Sequence, residues 1–267
     1  MSWKFLPLHG MDSTVVKMLR RAESALIWNG TLPSGRYLVN MRGRLELPTL
    51  TIEQGWITQK DHFGLDYNGI AGDSSLCRDS LSWVDDDAYD RLDALRDRYW
   101  DDDWQPPRRG RREGRVLVLG QLLRDTAVFG FSQYDSIEDF IFDAEQTFGP
   151  KDIAFRPHPL DSKAEDWKRI CKIRGIKYIS PTDEPLTKVI RHFRGAFAIN
   201  STGLYESAMM GLGAVAVGEC PLASHCNTED DTERLLAALA TRQFRKDTDD
   251  VIPHLEAMQE FPIRGGG

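Results

Sequence analysis

The sequence predicts an α/β protein with two domains and a parallel sheet in its second half. Beyond residue 115, short apolar runs alternate with segments of helical periodicity, a pattern typical of parallel strands covered by helices on both faces. The chain of 267 residues is long enough for two compact domains of ordinary size. An abrupt change from acidic to basic composition near the middle of the chain indicates the linker between the domains.

The first half predicts a small α/β unit. A helix is expected over residues 13–23, and strand-like apolar runs follow at 25–28, 37–41 and 49–52. This unit has fewer regular repeats than the second half, but it again combines helical and strand patterns.

An acidic stretch before the linker predicts an amphipathic helix. Residues 85–103 hold nine aspartates, and apolar residues recur among them at helical spacing: Ala88, Leu92, Leu95 and Tyr99. The aspartates are expected to form a solvent-exposed face rather than a metal site, because consecutive ones cannot converge on one ion. Pro106-Pro107 and a run of arginines follow. We therefore expect an N-terminal domain over 1–105 and a C-terminal domain over 106–267.

Five strands and five helices are predicted in the second half. The strands are expected at 116–119, 153–155, 176–179, 196–199 and 214–217. The first helix is expected to carry Ile137, Phe140, Ile141, Ala144 and Phe148 on one face, and the later helices are expected near 164–174, 186–193, 203–210 and 230–240. This alternation predicts a doubly wound sheet.

Composition excludes several classes of protein. The contents of 41% hydrophobic and 28% charged residues exclude a mostly disordered chain. No apolar run approaches the roughly 20 residues needed to span a bilayer, and no signal-peptide core is visible, so we expect a cytoplasmic protein. The net charge of −7 limits any nucleic-acid contact to a local surface. The four cysteines are expected to be free thiols, and neither they nor the histidines have the spacing of a structural metal site.

Polar residues follow the predicted parallel strands at their carboxyl ends, where open parallel sheets bind ligands. These residues are Gly120-Gln121 with Asp125, then 156–159 (Arg-Pro-His-Pro), then 181–184, then 200–203 (Asn-Ser-Thr-Gly) with Glu206. The candidate site is therefore expected at this edge of the sheet.

Ser201, Thr202 and Gly203 open a predicted helix and would suit a phosphate, because backbone N–H groups at a helix start are unpaired and glycine permits close approach. The alternative is an ordinary helix cap. Neither a P-loop nor a strand-linked Gly-x-Gly-x-x-Gly is present.

His158 lies between two prolines that restrict the backbone and so fix where its imidazole points. It could donate to a phosphate or act as a general acid. The alternative is a histidine with a structural role only.

Asp125 and Glu53 are candidates for a catalytic carboxylate pair across a cleft between the domains. Asp125 lies in the long connection after the first parallel strand, and Glu53 follows the apolar run at 49–52. Sugar transfer needs one carboxylate to move a proton and another to stabilise or trap the developing oxocarbenium centre. The alternative for each of the two residues is a loop carboxylate without a catalytic role.

Four of these segments together resemble the bacterial capsule polysaccharide biosynthesis family, whose best understood members are retaining β-Kdo glycosyltransferases that use CMP-Kdo. The segments are Glu53-Gln54-Gly55-Trp56, Gly120-Gln121-x-x-x-Asp125, Arg156-Pro157-His158-Pro159 and 200–208 (Asn-Ser-Thr-Gly-Leu-Tyr-Glu-Ser-Ala). The family has Phe where Trp56 stands, and a second acid where Arg124 stands.

The resemblance implies two Rossmann-like domains in a compact GT-B-like arrangement, with the nucleotide on the C-terminal domain. It implies Asp125 as the nucleophile and Glu53 as the acid/base residue. For the donor it implies His158 as a phosphate contact and Ser201 with Glu206 as the nucleotide-holding segment. We also expect the neighbouring residues Gln121, Arg156, Thr202 and Gly203 to bind the donor. No cofactor or metal is implied, because the nucleotide sugar is a co-substrate.

Three functions follow from these residues. The first is a metal-independent glycosyltransferase that moves a sugar from a nucleotide donor to a hydroxyl acceptor. The second transfers to hydroxymethylated bases in DNA, with a basic acceptor surface formed by Arg108, Arg109, Arg111 and Arg112. The third is a noncatalytic protein that binds nucleotide sugars.

Overall fold

A computed structural model of the protein describes residues 25–28, 49–100, 114–225 and 228–247. Several sequence predictions lie outside these ranges, namely the helix at 13–23, the strand at 37–41, the linker prolines and Arg108, Arg109, Arg111 and Arg112.

The first sheet is mixed. Its strands are β1 (Ala25–Trp28), β2 (Thr49–Gln54), β3 (His62–Asp66) and β9 (Gln243–Arg245). They lie in the order β1-β2-β3-β9, and only β1 and β2 are parallel. The strand β9 comes from the end of the described chain, so the second half of the sequence completes the sheet of the first half. The boundary between 105 and 106 stays a prediction.

The acidic segment forms helix α1 (Asp86–Tyr99), which confirms the predicted amphipathic helix. Asp85 caps it by accepting a hydrogen bond from the Ala88 backbone N–H at 3.2 Å. Ala88 and Leu92 are buried, and the aspartates from 85 to 97 are exposed. The acidic side chains therefore lie in solvent, as the helical spacing predicts.

The second sheet is parallel throughout. Its strands are β4 (Val116–Leu119), β5 (Ile153–Arg156), β6 (Lys177–Tyr178), β7 (Gly195–Ala198) and β8 (Gly213–Ala216), in the order β6-β5-β4-β7-β8. This confirms the parallel sheet of the second half. The chain moves outward from β4 to β6 and then restarts on the other side at β7. The topological switch point therefore lies between β4 and β7.

Helices cover this sheet. They are α2 (Ile137–Phe148), α3 (Ala164–Arg174), α4 (Leu186–Ile190), α5 (Gly203–Met209), α6 (Pro221–His225) and α7 (Glu229–Thr241). Ser136 caps α2 by accepting from the Asp139 N–H at 3.1 Å, and Gly175 ends α3 with φ of +72°. One face of α2 is buried against Phe155 and Phe197 of the sheet. None of the described helices is both long enough and apolar enough to cross a membrane.

The two halves share a hydrophobic core. Ile57, Leu76 and Leu92 of the first half belong to the same buried cluster as Leu204 and Leu236 of the second half. Arg96 of α1 also donates to the Glu233 carboxylate of α7 at 2.6 Å and to the Met209 carbonyl of α5 at 3.3 Å. The first sheet and the helices that follow it are therefore packed directly on the parallel-sheet region.

A buried ion pair joins the residue just before β9 to the first sheet. The Arg242 guanidinium lies 3.0 Å from the Asp66 carboxylate and packs against the rings of Tyr67 and Trp83. Asp66 also accepts from the hydroxyls and backbone N–H groups of the adjoining turn. Every oxygen of this buried carboxylate is thus hydrogen-bonded, and β9 is held beside β3.

Candidate functional site

Two side-chain amides meet at the switch point of the parallel sheet. Gln121, just beyond β4, donates from Nε2 to Oδ1 of Asn200 at 3.0 Å. The backbone N–H of Asn200, just beyond β7, donates to Oε1 of Gln121 at 3.1 Å. Both residues are 9% exposed. This reciprocal pair holds the carboxyl ends of β4 and β7 together where a ligand of such a sheet binds.

Asp125 lies on a tight turn between Gln121 and α2. Its carbonyl accepts from the N–H groups of Val128 and Phe129, and its Oδ1 accepts from the Ala127 N–H at 2.9 Å. The residue is exposed. The turn therefore fixes Oδ1 of Asp125, and the Ala127 N–H does not engage the second carboxylate oxygen.

His158, just beyond β5, is held as a neutral imidazole. The Leu160 backbone N–H donates to its Nδ1 at 3.1 Å, so in the neutral ring the proton is on Nε2. Burial lowers its pKa below the usual 6.5, and the Asp125 and Asp161 carboxylates act in the opposite direction. His158 can therefore donate a hydrogen bond from Nε2 at neutral pH, and it lies within electrostatic range of Asp125.

Arg156 and Glu206 are charged groups with unsatisfied buried atoms. Arg156, at the end of β5, donates from Nη2 to the carbonyls of Pro181 and Glu184 at 2.8 and 2.6 Å. Its Nη1 and the Oε2 of Glu206 in α5 are buried and make no hydrogen bond with any described residue. Burial raises the pKa of Glu206 to about 7, and the Arg156 charge partly offsets this effect.

The Ser201-Thr202-Gly203 segment has a packing role that the sequence does not reveal. Ser201 Oγ accepts from the Gly203 N–H at 3.2 Å, which is a local turn contact, and Thr202 at the helix N-cap makes no side-chain capping hydrogen bond. A Cβ on Gly203 would lie 2.6 and 2.7 Å from side-chain atoms of Leu186 and Leu119. A side chain at this position would have to displace the ends of both leucine side chains, so glycine favours the close approach of α5 to β4 and α4. Phosphate binding here stays a prediction.

Glu53 lies on β2, in the first sheet. It is paired in register with Gly64 of β3, and its Oε1 accepts from the Gln54 N–H at 2.8 Å. The nearby Trp56 ring packs edge-on against Tyr205 of α5 at 5.6 Å between centroids. Since Tyr205 precedes Glu206, the segment that carries Glu53 adjoins the helix that carries Glu206.

A loop of the first half packs against the same side of the parallel sheet. A Cβ on Gly72 would lie 2.6 Å from Cβ of Glu219, just beyond β8, and 2.8 Å from Phe131. The Glu219 N–H also donates to the Phe131 carbonyl at 2.9 Å. The first half therefore adjoins the carboxyl edge at the ends of β4 and β8.

This arrangement combines an exposed carboxylate, a neutral imidazole N–H donor and a buried arginine with an unused donor. Such groups can bind an anion with hydroxyl groups and bring a carboxylate to an electrophilic carbon. Among the described residues, no three His, Cys, Asp or Glu side chains are grouped to hold a metal ion.

Comparison with solved structures finds a similar fold in two Kdo transferases. The β-Kdo 2,4 transferase of Thermosulfurimonas dismutans KpsC superposes with a TM-score of 0.61 at 20% identity, over 87% of this chain and 87% of that one. The β-Kdo 2,7 transferase of the same KpsC superposes with a TM-score of 0.62 at 16% identity, over 93% and 90%. The chain shares their fold.

That shared fold confirms the predicted α/β class and the expected likeness to the fold of Kdo transferases. No protein-family model matches the sequence, and no curated protein matches it either.

The sequence does not reveal the contacts of two residues of this region. Asn200 is predicted among the polar residues that follow the parallel strands, but its contacts with Gln121 and, through Nδ2, with the Ala127 carbonyl at 2.6 Å are visible only in the structure. Trp56 has a buried indole N–H without a described partner, and nothing in the sequence indicates that property.

Proposed function

We propose that this protein is a glycosyltransferase that transfers a sugar from a nucleotide-activated donor to a hydroxyl acceptor. The observation that carries the proposal is the pair of unsatisfied buried atoms, Arg156 Nη1 and Glu206 Oε2, at the carboxyl edge of a parallel sheet. Buried polar groups without partners are costly, and a ligand with phosphate and hydroxyl groups would satisfy both. The fold shared with two Kdo transferases supports the reaction class.

The donor occupies the edge between β4, β5 and β7. Arg156 donates from Nη1 to a phosphate oxygen of the donor, and His158 donates from Nε2 to a second one. Glu206 accepts a hydroxyl of the nucleotide sugar. Ser201, Thr202 and Gly203 face the same ligand at the start of α5. Gln121 contributes through its bond to Asn200, which holds the two strand ends.

The reaction proceeds in two displacements. The free carboxylate oxygen of Asp125 attacks the anomeric carbon, and the bond from that carbon to the donor phosphate oxygen breaks with its electron pair leaving on the phosphate. Glu53 then takes the proton of the acceptor hydroxyl as that oxygen attacks the anomeric carbon and displaces Asp125. Two inversions give retention of configuration. The reaction is metal-independent: the Arg156 charge offsets the phosphate charge, and the neutral His158 ring donates a hydrogen bond to the phosphate.

The first test is a thermal-shift screen against CMP, UDP, GDP and the corresponding nucleotide sugars, with and without EDTA. A ligand that binds only the native state at 100 times its Kd stabilises it by about 2.7 kcal/mol. We expect one base to be preferred and the shift to survive EDTA. If none of the ligands shifts the melting temperature, the donor site is wrong.

The second test is hydrolysis of the selected donor. Asp125→Ala is expected to lower turnover by about 1000-fold or more, and Glu53→Gln by about 100-fold. Asp135→Ala is the matched control, because Asp135 is an exposed aspartate in the same connection before α2. If neither Asp125→Ala nor Glu53→Gln differs from Asp135→Ala, the catalytic assignment is wrong.

A further inference from the structure

The side chain of Asn200 uses both of its polar atoms within the protein. Oδ1 accepts from Gln121 Nε2 at 3.0 Å, and Nδ2 donates to the Ala127 carbonyl at 2.6 Å. The first bond joins two strand ends. The second reaches a residue that lies in the turn after β4, 73 positions away in sequence. If Asn200 only joined the two strand ends, this second hydrogen bond to Ala127 would not be needed.

Ala127 connects Asn200 to Asp125 through its two backbone groups. Its carbonyl accepts from Asn200 Nδ2, and its N–H donates to Asp125 Oδ1 at 2.9 Å. A continuous series of hydrogen bonds therefore runs from the buried Gln121 through Asn200 and Ala127 to an exposed carboxylate. Exposed turns are mobile unless tied down, and this turn is tied at the residue that holds the carboxylate.

We propose that Asn200 is a positioning residue, which acts through Ala127 to hold the Asp125 carboxylate facing the His158 side of the sheet edge. Only the catalytic consequence rests on the proposed glycosyltransferase function; the geometry does not. The polar side-chain atoms of Asn200 are both engaged within the protein. The competing explanation is that Asn200 merely stabilises the ends of β4 and β7 through Gln121.

His158 provides a readout that does not require a substrate. Asp125 and Asp161 are the charged groups that raise its pKa against the effect of burial. If Asn200 holds Asp125 in place, removing the Asn200 side chain must weaken the Asp125 contribution and leave that of Asp161. A purely structural role for Asn200 predicts lower stability without a change in this titration.

The experiment is NMR titration of the His158 imidazole, assigned with His158→Gln, in full-length protein. Asp125→Asn removes the Asp125 charge, so it measures the full contribution of that charge and is expected to lower the His158 pKa. Asn200→Ala is expected to lower it by at least half as much. Ser207→Ala is the matched control, because Ser207 also donates a buried hydrogen bond to a backbone carbonyl, that of Gly213 at 2.8 Å, at the opposite edge of the sheet. It is expected to leave the titration unchanged.

An unchanged His158 titration in a folded Asn200→Ala protein overturns the proposal. If that variant fails to fold, Asn200→Ser is used, since its short hydroxyl cannot span the distance to Ala127. In donor hydrolysis we expect Asn200→Ala to lower kcat by about 10- to 100-fold with KM within about twofold of the wild type. A shifted titration in a protein that hydrolyses no donor would leave the positioning role standing and reject the proposed function.

Discussion

Two buried arginine–carboxylate constellations in this protein differ in how completely they are satisfied. Arg242 and Asp66 form an ion pair at 3.0 Å whose carboxylate accepts several further hydrogen bonds. Arg156 and Glu206 interact electrostatically, yet each keeps a buried atom without a described hydrogen-bond partner. The first constellation links two segments of the chain, through Arg242 just before β9 and Asp66 at the end of β3. The second keeps two desolvated polar atoms unpaired at the carboxyl edge of the parallel sheet, and these atoms are the basis of the donor site proposed above.

The largest expected effect is on the satisfied constellation. Asp66→Ala should destabilise the protein by about 3–5 kcal/mol, because it leaves the Arg242 guanidinium buried without its closest counter-charge. Denaturant unfolding measures this. The comparison is Asp79→Ala, since Asp79 lies at 3.6 Å from Arg242 and is more exposed. Because Asp79 also accepts from the Leu81 N–H and the Trp83 indole N–H, its loss should cost about 1–2 kcal/mol. Equal losses would show that Asp66 has no special role.

The unsatisfied constellation should respond to pH. The pKa of Glu206 is raised to about 7 in the folded protein, above its usual 4.5. The folded state therefore binds the proton more tightly, and this stabilising contribution is complete below about pH 4.5 and is lost as the pH rises through about 7. Glu206→Gln cannot ionise, so it should be more stable than the wild type at pH 8 by about 2–3 kcal/mol.

Thermal unfolding of both proteins at pH 5 and pH 8 tests the sign. Near pH 5 the two should differ little, because Glu206 is then protonated. Glu233→Gln changes an exposed glutamate on α7 that is paired with Arg96, and it should show no comparable gain at pH 8. The assignment is contradicted if the stability of Glu206→Gln minus that of the wild type is smaller at pH 8 than at pH 5.

Ligand binding should distinguish the role of Arg156 from that of Arg242. Arg156→Lys keeps the charge but loses the planar donor group, and we expect the affinity for the selected nucleotide to fall by about tenfold or more. Isothermal titration calorimetry measures it. Arg242→Lys should lower the unfolding temperature while the folded protein binds the nucleotide as the wild type does. Equal affinities for Arg156→Lys and the wild type would remove Arg156 from the donor site.

The smallest effect is expected at Trp56. Its indole N–H is buried without a described partner, so Trp56→Phe removes an unsatisfied donor and keeps an aromatic ring against Tyr205. The change in unfolding free energy should stay within about 1 kcal/mol. Trp56→Ala, which also removes the ring contact, should cost about 3 kcal/mol or more. A large loss in Trp56→Phe would mean that the N–H has a partner.

Much of the parallel sheet was predictable because its signals are local. Ile137, Phe140, Ile141 and Ala144 repeat at helical spacing and are the residues that α2 buries. Val116 to Leu119 form a continuous apolar run and become a central strand buried on both faces. Strand β3 was missed because its sequence, His-Phe-Gly-Leu-Asp, mixes buried polar residues with glycine. Strand β9 has only three residues and exists by pairing with β3.

The sequence by itself determined the α/β class, the parallel strands, the acidic helix and the polar segments that follow the strands. These depend on residue patterns within a few turns of chain. Only the tertiary structure decided that Gln121 meets Asn200, that Asn200 reaches Ala127, and that Arg156 and Glu206 keep buried atoms without described partners. Those properties depend on groups brought together from distant parts of the chain. No local sequence pattern predicts which buried donors and acceptors the fold leaves without a hydrogen-bond partner.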